Sequence, residues 1–395
     1  MERPQLEVAD IVRAHGPAWR LRQAGHLSVG QLKVLSAIER CRTAELGGHQ
    51  LHCERCDTDR YAYNSCRNRH CPKCQASAAQ RWLEARQADL LPIDYFHVVF
   101  TLPEQLRDLA YQNKSVVYDL LFKTVADTLL TIAADPKHLG AKIGVMAVLH
   151  TWGSTLVHHP HLHCIVTGGG CAVDRDEWVR CRPNFFVPVK ALSRLFRGRF
   201  LAALRSAYAN GELKFFGALE ILKDPGWFAE HLRPLQKIDW VVYAKRPFAG
   251  PEAVLTYLSR YTHRVAISNR RLVAFDERGV TFRYKDYRTK SQDRWKSMTL
   301  SADEFLRRFL LHVLPRGFHR IRHYGLFANA ERSEKLNRAR VLLGQPPRTV
   351  IAEPRTEKPS VPCSYTCPAC GTAMLIVRVL LPQRTARGPP VRIAA

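Results

Sequence analysis

The tripeptide His161-Leu162-His163 and the downstream pair Tyr257 and Tyr261 are residue types that could cleave a phosphodiester. The segment that starts at His161 ends in β-branched residues and predicts a strand, on which alternate residues share a face. The two imidazoles therefore point the same way and form a candidate site for a divalent metal ion. The tyrosines are four positions apart, so on a helix their phenols lie one turn apart. A metal beside two phenols indicates attack on a phosphodiester by a tyrosine oxygen.

A third imidazole ligand has several candidates. His150 ends the strand that is predicted before the histidine pair, and a hairpin would bring it next to that pair. We take His150 as the third ligand, which leaves positions for water and a phosphate oxygen. His158 and His159 compete with it because they are closer in sequence, and His97 could also face the site. Lone histidines are more often core or surface residues than ligands.

Two Cys-x2-Cys pairs, Cys53/Cys56 and Cys71/Cys74, are separated by 14 residues. Each pair is a tight turn that points two thiolates at one ion, so the spacing predicts one tetrahedral, structural Zn²⁺ site of four cysteines. Reduced cysteines without metal are the alternative. Two residues between the pairs could replace one of the four ligands: Cys66 and His70.

The C-terminal tail carries a further cysteine pattern. A Pro-rich stretch from Gln345 to Pro362 predicts a linker, and Cys363, Cys367 and Cys370 follow it. Cys367 and Cys370 form half of a zinc ribbon, but no second pair comes after them, so metal binding by the tail is not predicted. The residues from Arg384 to Ala395 are expected to be disordered.

The charge balance of the 395-residue chain predicts a polyanionic partner. Lys and Arg number 60 against 35 acidic residues, for a net charge of +25 and a pI near 9.9. Nucleic acid is the first candidate. A membrane surface is the competing interpretation, but we find no basic amphipathic helix and no apolar run of spanning length. No secretory signal follows Met1, so we expect a cytoplasmic, nucleoid-associated protein with reduced thiols.

Basic and aromatic residues are interleaved in three parts of the chain. Tyr61 and Tyr63 lie among arginines near the cysteine pairs, and residues 282–290 and 316–324 alternate the two residue types. Such segments suit contact with phosphates and stacking on bases. A solvated basic face is the alternative in each case. The basic residues that we predict to contact DNA are Arg67, Arg69, Arg260, Arg264, Lys285 and Arg288.

Hydrophobic patterning predicts an α+β fold, in which an antiparallel sheet is backed by helices. Ser28 and Gln31 form a candidate capping box, and Gly168 to Gly170 are expected to end the histidine strand. The other predicted strands cover 94–102, 142–150 and 238–245, and the predicted helices cover 103–134, 188–210 and 252–262. The predicted domains are a helical zinc-binding and DNA-binding domain (1–90), a catalytic domain (91–275), a basic DNA-contact region (276–343), and a Pro-rich linker with a partial zinc ribbon (344–395).

On these residues the chain resembles the transposases of insertion sequence family 91, in the HUH endonuclease class. The class is named for His-hydrophobic-His, here residues 161–163, and the resemblance spans most of residues 40–330. It implies a ferredoxin-like HUH nuclease core in which His161 and His163 hold Mg²⁺ or Mn²⁺ and Tyr257 and Tyr261 are the nucleophiles. It also implies rolling-circle transposition through single-stranded DNA and recognition of element ends. The other segments that carry the resemblance are residues 65–75, 96–103, 149–153 and 257–268.

The predicted function is a DNA transposase that cleaves and rejoins single-stranded DNA through a 5′-phosphotyrosine intermediate, and that could act as a homodimer. A plasmid relaxase or rolling-circle replication initiator would use the same core. The N-terminal cysteines favour the transposase, and the sequence contains no helicase P-loop. A zinc-dependent DNA-binding protein without catalysis would explain the charge and the cysteines. It would leave the histidine and tyrosine pairs without a role.

Overall fold

The computed structural model of the chain describes residues 6–75, 80, 89–245, 253–254, 265–286, 294–328, 331–347 and 365–383. Contacts within the chain divide it into two compact units. We call them the cysteine unit, which comprises Met1–Gln75 and Thr349–Ala395, and the histidine unit, which comprises Ala76–Arg348.

Both units combine helices and strands. Among the described residues, the α-helices are α1 Val8–Arg22, α2 Val29–Arg40, α3 Arg107–Gln112, α4 Lys114–Ala134, α5 Val189–Ala209, α6 Pro225–Lys237, α7 Ala302–Leu311 and α8 Arg332–Leu342. Short 3₁₀ helices cover Ala44–Leu46, Glu104–Leu106, Gly217–Lys223 and Asn269–Arg271. The strands are β1 Gly48–Cys53, β2 Thr58–Tyr63, β3 Tyr95–Thr101, β4 Ala141–Trp152, β5 His158–Ala172, β6 Trp178–Arg180, β7 Val242–Lys245, β8 Leu272–Asp276, β9 Gly279–Lys285, β10 Trp295–Leu300, β11 Ile321–Gly325, β12 Tyr365–Thr366 and β13 Ala373–Leu380.

The sheet of the cysteine unit joins strands from both ends of the chain, in the order β12-β13-β1-β2. β13 runs antiparallel to β1, with Leu380 opposite Gly48 and Leu375 opposite His52. In the helical part of the unit, Arg20 of α1 and Glu39 of α2 form an ion pair with a 2.9 Å N–O distance. The tail is therefore a structural part of this unit.

The large sheet of the histidine unit has the strand order β11-β4-β5-β3-β7, with β6 beside β5, and every pairing is antiparallel. Along the chain, four of its strands and the helices between them follow the order β3, α3 and α4, β4, β5, α5 and α6, β7, while the short β6 follows β5 and β11 comes after β7. One face of the sheet packs on these helices, where Phe100, Leu149 and Leu162 meet Leu121 and Phe196 in the main core. Since side chains alternate along a strand, the neighbours of these core residues project from the opposite face.

A smaller antiparallel sheet has the order β10-β9-β8. Phe282 of β9 is fully buried and its ring packs against that of Phe305 in α7, with ring centroids 6.0 Å apart. The aromatic side chain at this position therefore stabilises the unit and is not exposed.

The structure confirms the predicted combination of antiparallel sheets and helices. The capping box is present, since the Gln31 backbone N–H donates to Ser28 Oγ and the Ser28 N–H to Gln31 Oε1. The predicted strand end at Gly168–Gly170 is wrong, because β5 continues to Ala172. A Cβ at Gly170 would lie 2.3 Å from the Lys142 carbonyl oxygen, so glycine is required there by the close approach of β4 and does not end the strand.

The strand predicted over 238–245 is shorter than expected, because β7 begins only at Val242. Trp240, two residues before β7, is hydrogen-bonded to two helices. Its Nε1 donates to the Leu235 carbonyl of α6 at 3.0 Å, and Ser193 Oγ of α5 donates to the Trp240 carbonyl at 2.7 Å. The backbone and the ring of Trp240 therefore bind α5 and α6 and do not take part in the strand.

The structure divides the chain differently from the predicted domains. The N-terminal segment of the cysteine unit ends at Gln75. The unit also includes the tail that was predicted as a separate region. Residues predicted as a C-terminal DNA-contact region share the histidine unit, because β11 pairs with β4 and Leu336 of α8 packs with Met146. None of the described helices combines the length and the apolar character needed to cross a bilayer.

Candidate active site and metal centres

The histidine pair lies on β5, on the face of the sheet opposite the main core. Leu162 between the two histidines is fully buried in that core. The register of β4 and β5 places His150 directly opposite His161 and Val148 opposite His163. The structure therefore brings His150, His161 and His163 together, and their ligand nitrogens all lie within 4.8 Å of one another.

The proton on His161 is placed by a backbone carbonyl. Its Nδ1 lies 2.7 Å from the carbonyl oxygen of His159, which can only accept, so Nδ1 carries the ring proton and Nε2 a lone pair. Burial lowers the pKa of His161 to about 4, and burial also holds the pKa of His163 well below its ordinary value. Both rings are therefore neutral near pH 7, as metal ligands must be.

His97 of β3 fixes the second ring of the pair. Its Nε2 lies 2.8 Å from His163 Nδ1, and the two rings are parallel within 2°. Burial lowers the pKa of His97 to about 3, so this ring is neutral and its Nε2 can accept the His163 Nδ1 proton. We considered His97 from the sequence as a residue facing the site. The structure places it behind His163, where it leaves the Nε2 lone pair of His163 facing His161.

The arrangement fits a divalent metal ion. The Nε2 atoms of His161 and His163 are 3.1 Å apart, and two lone pairs at this distance repel unless a cation lies near both. Two ligands bound at about 2.1 Å and roughly at right angles on one ion are themselves about 3 Å apart. His150 would supply the third ligand, with its ring stacked on Trp152 at a centroid distance of 4.4 Å. Three imidazoles leave positions open for substrate, as in catalytic sites.

The two competing histidines have other contacts. His158 Nε2 lies 2.8 Å from the Tyr118 hydroxyl of α4, in the buried part of the histidine unit. Burial lowers the pKa of His158 to about 2. His159 acts through its backbone carbonyl, which orients His161. Of the described histidines, the group with converging ligand atoms contains His150, His161 and His163.

Two exposed residues of β7 share the face of the histidines. Tyr243 lies opposite Val99 of β3, which is in turn opposite His163, and Lys245 lies opposite His97. Cross-strand partners project from the same face of a sheet. After burial, the charge of Lys245 is the next cause of the lowered pKa of His97. Sequence reasoning missed both residues because the register of β7 cannot be read from its own sequence.

The predicted nucleophiles Tyr257 and Tyr261 lie outside the described residues, as do the predicted DNA contacts Arg260 and Arg264. Val254, three positions before Tyr257, is described and 1% exposed. It packs in a second core cluster with Met146, Val148 and Ile165, which lie an even number of positions from the three histidines along β4 and β5 and therefore share their face of the sheet. The chain thus passes the histidine face of the sheet shortly before the tyrosine pair.

The predicted four-cysteine site is wrong, because the structure separates its two pairs. Cys71 and Cys74 lie with Cys66 and Cys41, whose sulfurs are all within 4.8 Å of one another. Cys74 Sγ is 3.6 Å from both Cys41 Sγ and Cys66 Sγ. Cys66 is therefore a member of the group and not a substitute, and Cys41 was missed because it belongs to no Cys-x2-Cys pair.

His70, the other predicted substitute, has a different neighbour. It is buried, and its Nδ1 lies 3.2 Å from the Asn68 side-chain oxygen. The first cysteine group thus has four sulfur ligands within the N-terminal part of the chain. Four thiolates around one ion form a closed, structural zinc site.

Cys53 and Cys56, the first predicted pair, lie with Cys367 and Cys370 of the tail. Cys53 Sγ is 3.6 Å from Cys370 Sγ. The pair in the tail was read as half of a zinc ribbon without a partner. Its partner precedes it by more than 300 residues, so local spacing could not identify it.

The residues that were predicted to contact DNA differ in their exposure to solvent. Arg67 and Arg69 are exposed, Lys285 is partly buried, and Arg288 lies outside the described residues. In the segment 316–324, Phe318 is buried in the main core and Arg322 lies over its ring, 5.1 Å from the centroid. The aromatic residues at 282 and 318 therefore cannot stack on bases in this structure.

Comparisons with known proteins identify relatives over nearly the whole chain. A family model described as "Transposase zinc-binding domain" matches residues 11–102, and one described as "Putative transposase" matches residues 144–335. The protein "Putative transposase y4qJ" of Sinorhizobium fredii is 52% identical over 403 residues, with 99% of this chain and 98% of that protein covered. "Transposase for insertion sequence element IS801" of Pseudomonas savastanoi pv. phaseolicola is 29% identical, with 78% of this chain and 73% of that protein covered. No solved structure matches the chain.

Proposed function

Because the chain belongs to the transposases of insertion sequence family 91 and carries their N-terminal zinc-binding domain, we propose that it cleaves and rejoins single-stranded DNA at element ends by tyrosine attack. The observation that carries the proposal is the pair of neutral imidazoles whose Nε2 atoms face each other at 3.1 Å, with His150 beside them. Such a group is a ligand set for a catalytic divalent metal and has no evident structural purpose.

The topology of the histidine unit supports an HUH nuclease core. Its elements follow a β-α-β-β-α-β order, and the four strands lie side by side as β7-β3-β5-β4. This is the order of a ferredoxin-like fold. The ligand histidines lie on two neighbouring strands, β5 and β4, and His97 lies on β3, so a rigid sheet holds the ligands.

In the proposed reaction, the hydroxyl of Tyr257 or Tyr261 gives up its proton to solvent as its oxygen attacks phosphorus, and the bond from phosphorus to the 3′ oxygen breaks. The 5′ phosphate becomes bonded to tyrosine, and the 3′ oxygen leaves as a hydroxyl after taking up a proton. A bound Mg²⁺ or Mn²⁺ would supply charge that polarises the phosphate. Rejoining reverses the step with a new 3′ hydroxyl, so no nucleotide hydrolysis is needed.

The position of Val254 supports a role for the tyrosine pair. Three residues span at most about 11 Å, so Tyr257 is tethered within that distance of a residue packed on the histidine face. Tyr243 and Lys245 lie on the same face and extend it toward the edge of the sheet. We assign them to the path of the DNA strand, with Lys245 on a phosphate and Tyr243 against a base.

The cysteine unit offers a second surface for DNA. Tyr61 is 57% exposed and Tyr63 is 37% exposed, and their rings are parallel within 9° with centroids 6.2 Å apart. Arg378 of β13 lies on the same face, since Gln50 is opposite both Tyr61 and Arg378. Exposed parallel rings beside an arginine suit stacking on unpaired bases. DNA as the substrate makes the cytoplasm, at the nucleoid, the expected place of action.

A covalent-adduct assay tests the proposed function. The full chain is incubated with Mn²⁺ and a labelled single strand from the element end, and a denaturing gel separates protein-linked DNA. We expect an adduct for the wild type, none for His161→Ala with His163→Ala, and none for Tyr257→Phe with Tyr261→Phe. Each single tyrosine change should impair complete transposition. An adduct that persists in the double tyrosine variant would refute the assignment.

The same assay distinguishes the other functions. A non-catalytic DNA-binding protein would bind the strand and give no adduct. A relaxase or replication initiator would form an adduct at a plasmid origin in preference to an element end. We therefore include strands of both kinds, with transfer to an unlabelled target strand as the readout for transposition.

A further inference from the structure

The tail cysteines have no role in the proposed reaction, yet they lie where two distant parts of the sequence pair in one sheet. Cys53 and Cys367 are 0% and 3% exposed, and with Leu51 and Met374 they form a separate small core. β13 pairs with β1 over most of its length, from Leu380–Gly48 to Leu375–His52. The two cysteine pairs are thus brought together by a sheet.

Each pair lies on a turn that is closed by a backbone hydrogen bond. The Cys56 N–H donates to the Cys53 carbonyl at 3.2 Å, and the Gly371 N–H donates to the Cys367 carbonyl at 2.8 Å. Each turn brings its two sulfurs to the same side, which is the geometry of a zinc knuckle. The two knuckles face each other, and all four sulfurs lie within 4.8 Å of one another.

The sulfur separations fit a shared metal and not a disulfide. Cys53 Sγ and Cys370 Sγ are 3.6 Å apart, whereas bonded sulfurs are separated by about 2.05 Å. Four sulfurs at about 2.3 Å from a tetrahedral ion lie about 3.8 Å from each other. The Thr372 hydroxyl lies 3.3 Å from the Cys370 sulfur and helps to orient it.

We propose that Cys53, Cys56, Cys367 and Cys370 form a second structural zinc site, which makes the C-terminal tail an integral part of the zinc-binding domain. The matched zinc-binding model covers residues 11–102 and so contains only half of these ligands. The site joins residues more than 300 positions apart, and it holds β13 against β1. Without the tail, β1 would be an open edge strand and Cys53 and Cys56 would lack two ligands.

Metal counting tests the proposal without reference to catalysis. The full chain carrying His161→Ala and His163→Ala, which removes the histidine ligands, is purified with zinc and its metal content is measured by mass spectrometry. We expect about two zinc ions per chain, one for each cysteine group. The variant Cys367→Ser with Cys370→Ser should bind one, and so should Cys41→Ser with Cys66→Ser. Cys181→Ser, which lies in neither group, is the matched control and should bind two.

Two further measurements distinguish the loss of a zinc ligand from a loss of zinc that is caused by misfolding of the serine variants. Cys370→His keeps a metal ligand and should retain two zinc ions, while the serine variant should not. In zinc-stripped wild-type protein, a mild thiol oxidant should join Cys53 or Cys56 to Cys367 or Cys370, as mapped by peptide mass spectrometry. Three results would overturn the proposal. They are one zinc ion in the chain that carries only His161→Ala and His163→Ala, two zinc ions after Cys367→Ser with Cys370→Ser, and an oxidative link from Cys53 or Cys56 to Cys71 or Cys74.

Discussion

The chemistry of the histidine face depends on where the ring protons of His161 and His163 lie. A carbonyl fixes the proton of His161, and the neutral ring of His97 fixes that of His163. Both arrangements direct Nε2 lone pairs into the same small space. Ring orientation set by partners behind the ligands is characteristic of metal sites, where such partners are needed for full affinity. His97 is therefore a positioning residue for the metal.

The role of His97 predicts a measurable loss of metal affinity. In His97→Ala, the Nδ1 proton of His163 loses its acceptor, and the ring can rotate or change tautomer. We expect Mn²⁺ affinity to fall by about 10–100-fold, measured by isothermal titration calorimetry. His159→Ala is the matched control, because its backbone carbonyl still orients His161 and its side chain is outside the ligand group. Equal losses in the two variants would contradict the role.

A buried histidine away from the metal group predicts how stability depends on pH. His312 is buried, its Nε2 donates to the Leu156 carbonyl at 3.1 Å, and burial lowers its pKa to about 3. The unfolded chain takes up this proton below pH 6.5 and the folded chain does not. The contribution of neutral His312 to the free energy of unfolding is therefore fully present above about pH 6.5. It is lost as the pH falls toward 3, by up to about 1.4 kcal/mol per pH unit for each such histidine.

The variant His312→Gln separates this effect from the rest of the protein. Glutamine can still donate to the Leu156 carbonyl but does not titrate. We expect a shallower fall of the urea midpoint of the variant between pH 6.5 and pH 4.5 than in the wild type. Parallel pH profiles of the two proteins would show that the pKa of His312 is the same in the folded and the unfolded chain, which would contradict the prediction.

At the scale of elements, the sequence predicts which residues of a strand share a face, but it does not predict which strands pair with each other. The pattern of β5 correctly places His161 and His163 on one face with Leu162 in the core, because that depends only on local geometry. The sulfur groups depend on which strands meet. The two N-terminal pairs were assigned to each other because they are closest in sequence, whereas pairing of β1 with β13 gives Cys53 and Cys56 other partners.

The edge strand β7 predicts an electrostatic contribution to DNA binding. Lys245→Ala removes a positive charge from the histidine face and should weaken binding of single-stranded DNA at low salt. We expect the slope of log K against log salt concentration to become shallower by about 0.7, the value for one phosphate contact on a single strand. Lys223→Ala, an exposed lysine paired with Glu220, is the control and should leave the slope unchanged. An unchanged slope for Lys245→Ala would show that Lys245 does not contact a phosphate of the DNA.

The exposed tyrosines of β2 predict a contribution from stacking. Tyr61→Ala with Tyr63→Ala should lower the affinity for single-stranded DNA by about 1–3 kcal/mol per stacked base, measured by fluorescence anisotropy. Phenylalanine at both positions retains the rings and should retain most of the affinity. Loss of binding in the phenylalanine variant would assign the effect to the hydroxyl groups and contradict base stacking.

At the scale of the whole molecule, the chain is built from two units whose parts are not contiguous in sequence. The cysteine unit takes its sheet from residues 48–63 and 365–380, and the histidine unit lies between them in the sequence. The sequence motifs carried the resemblance to the transposase family, which the comparisons confirm, but no local pattern could assign the tail to the first unit. The predicted homodimer stays a prediction.

Identification of the covalently modified residue is the most direct measurement of the central claim, that the histidine face activates a phosphate for attack by the tyrosine pair. The adduct formed with Mn²⁺ and a single-stranded element end would be digested with protease and nuclease and analysed by tandem mass spectrometry. The account predicts a nucleotide bonded through its 5′ phosphate to Tyr257 or Tyr261, and no adduct in His163→Ala. A nucleotide on Tyr243 or another residue, or an adduct of equal yield in His163→Ala, would contradict it.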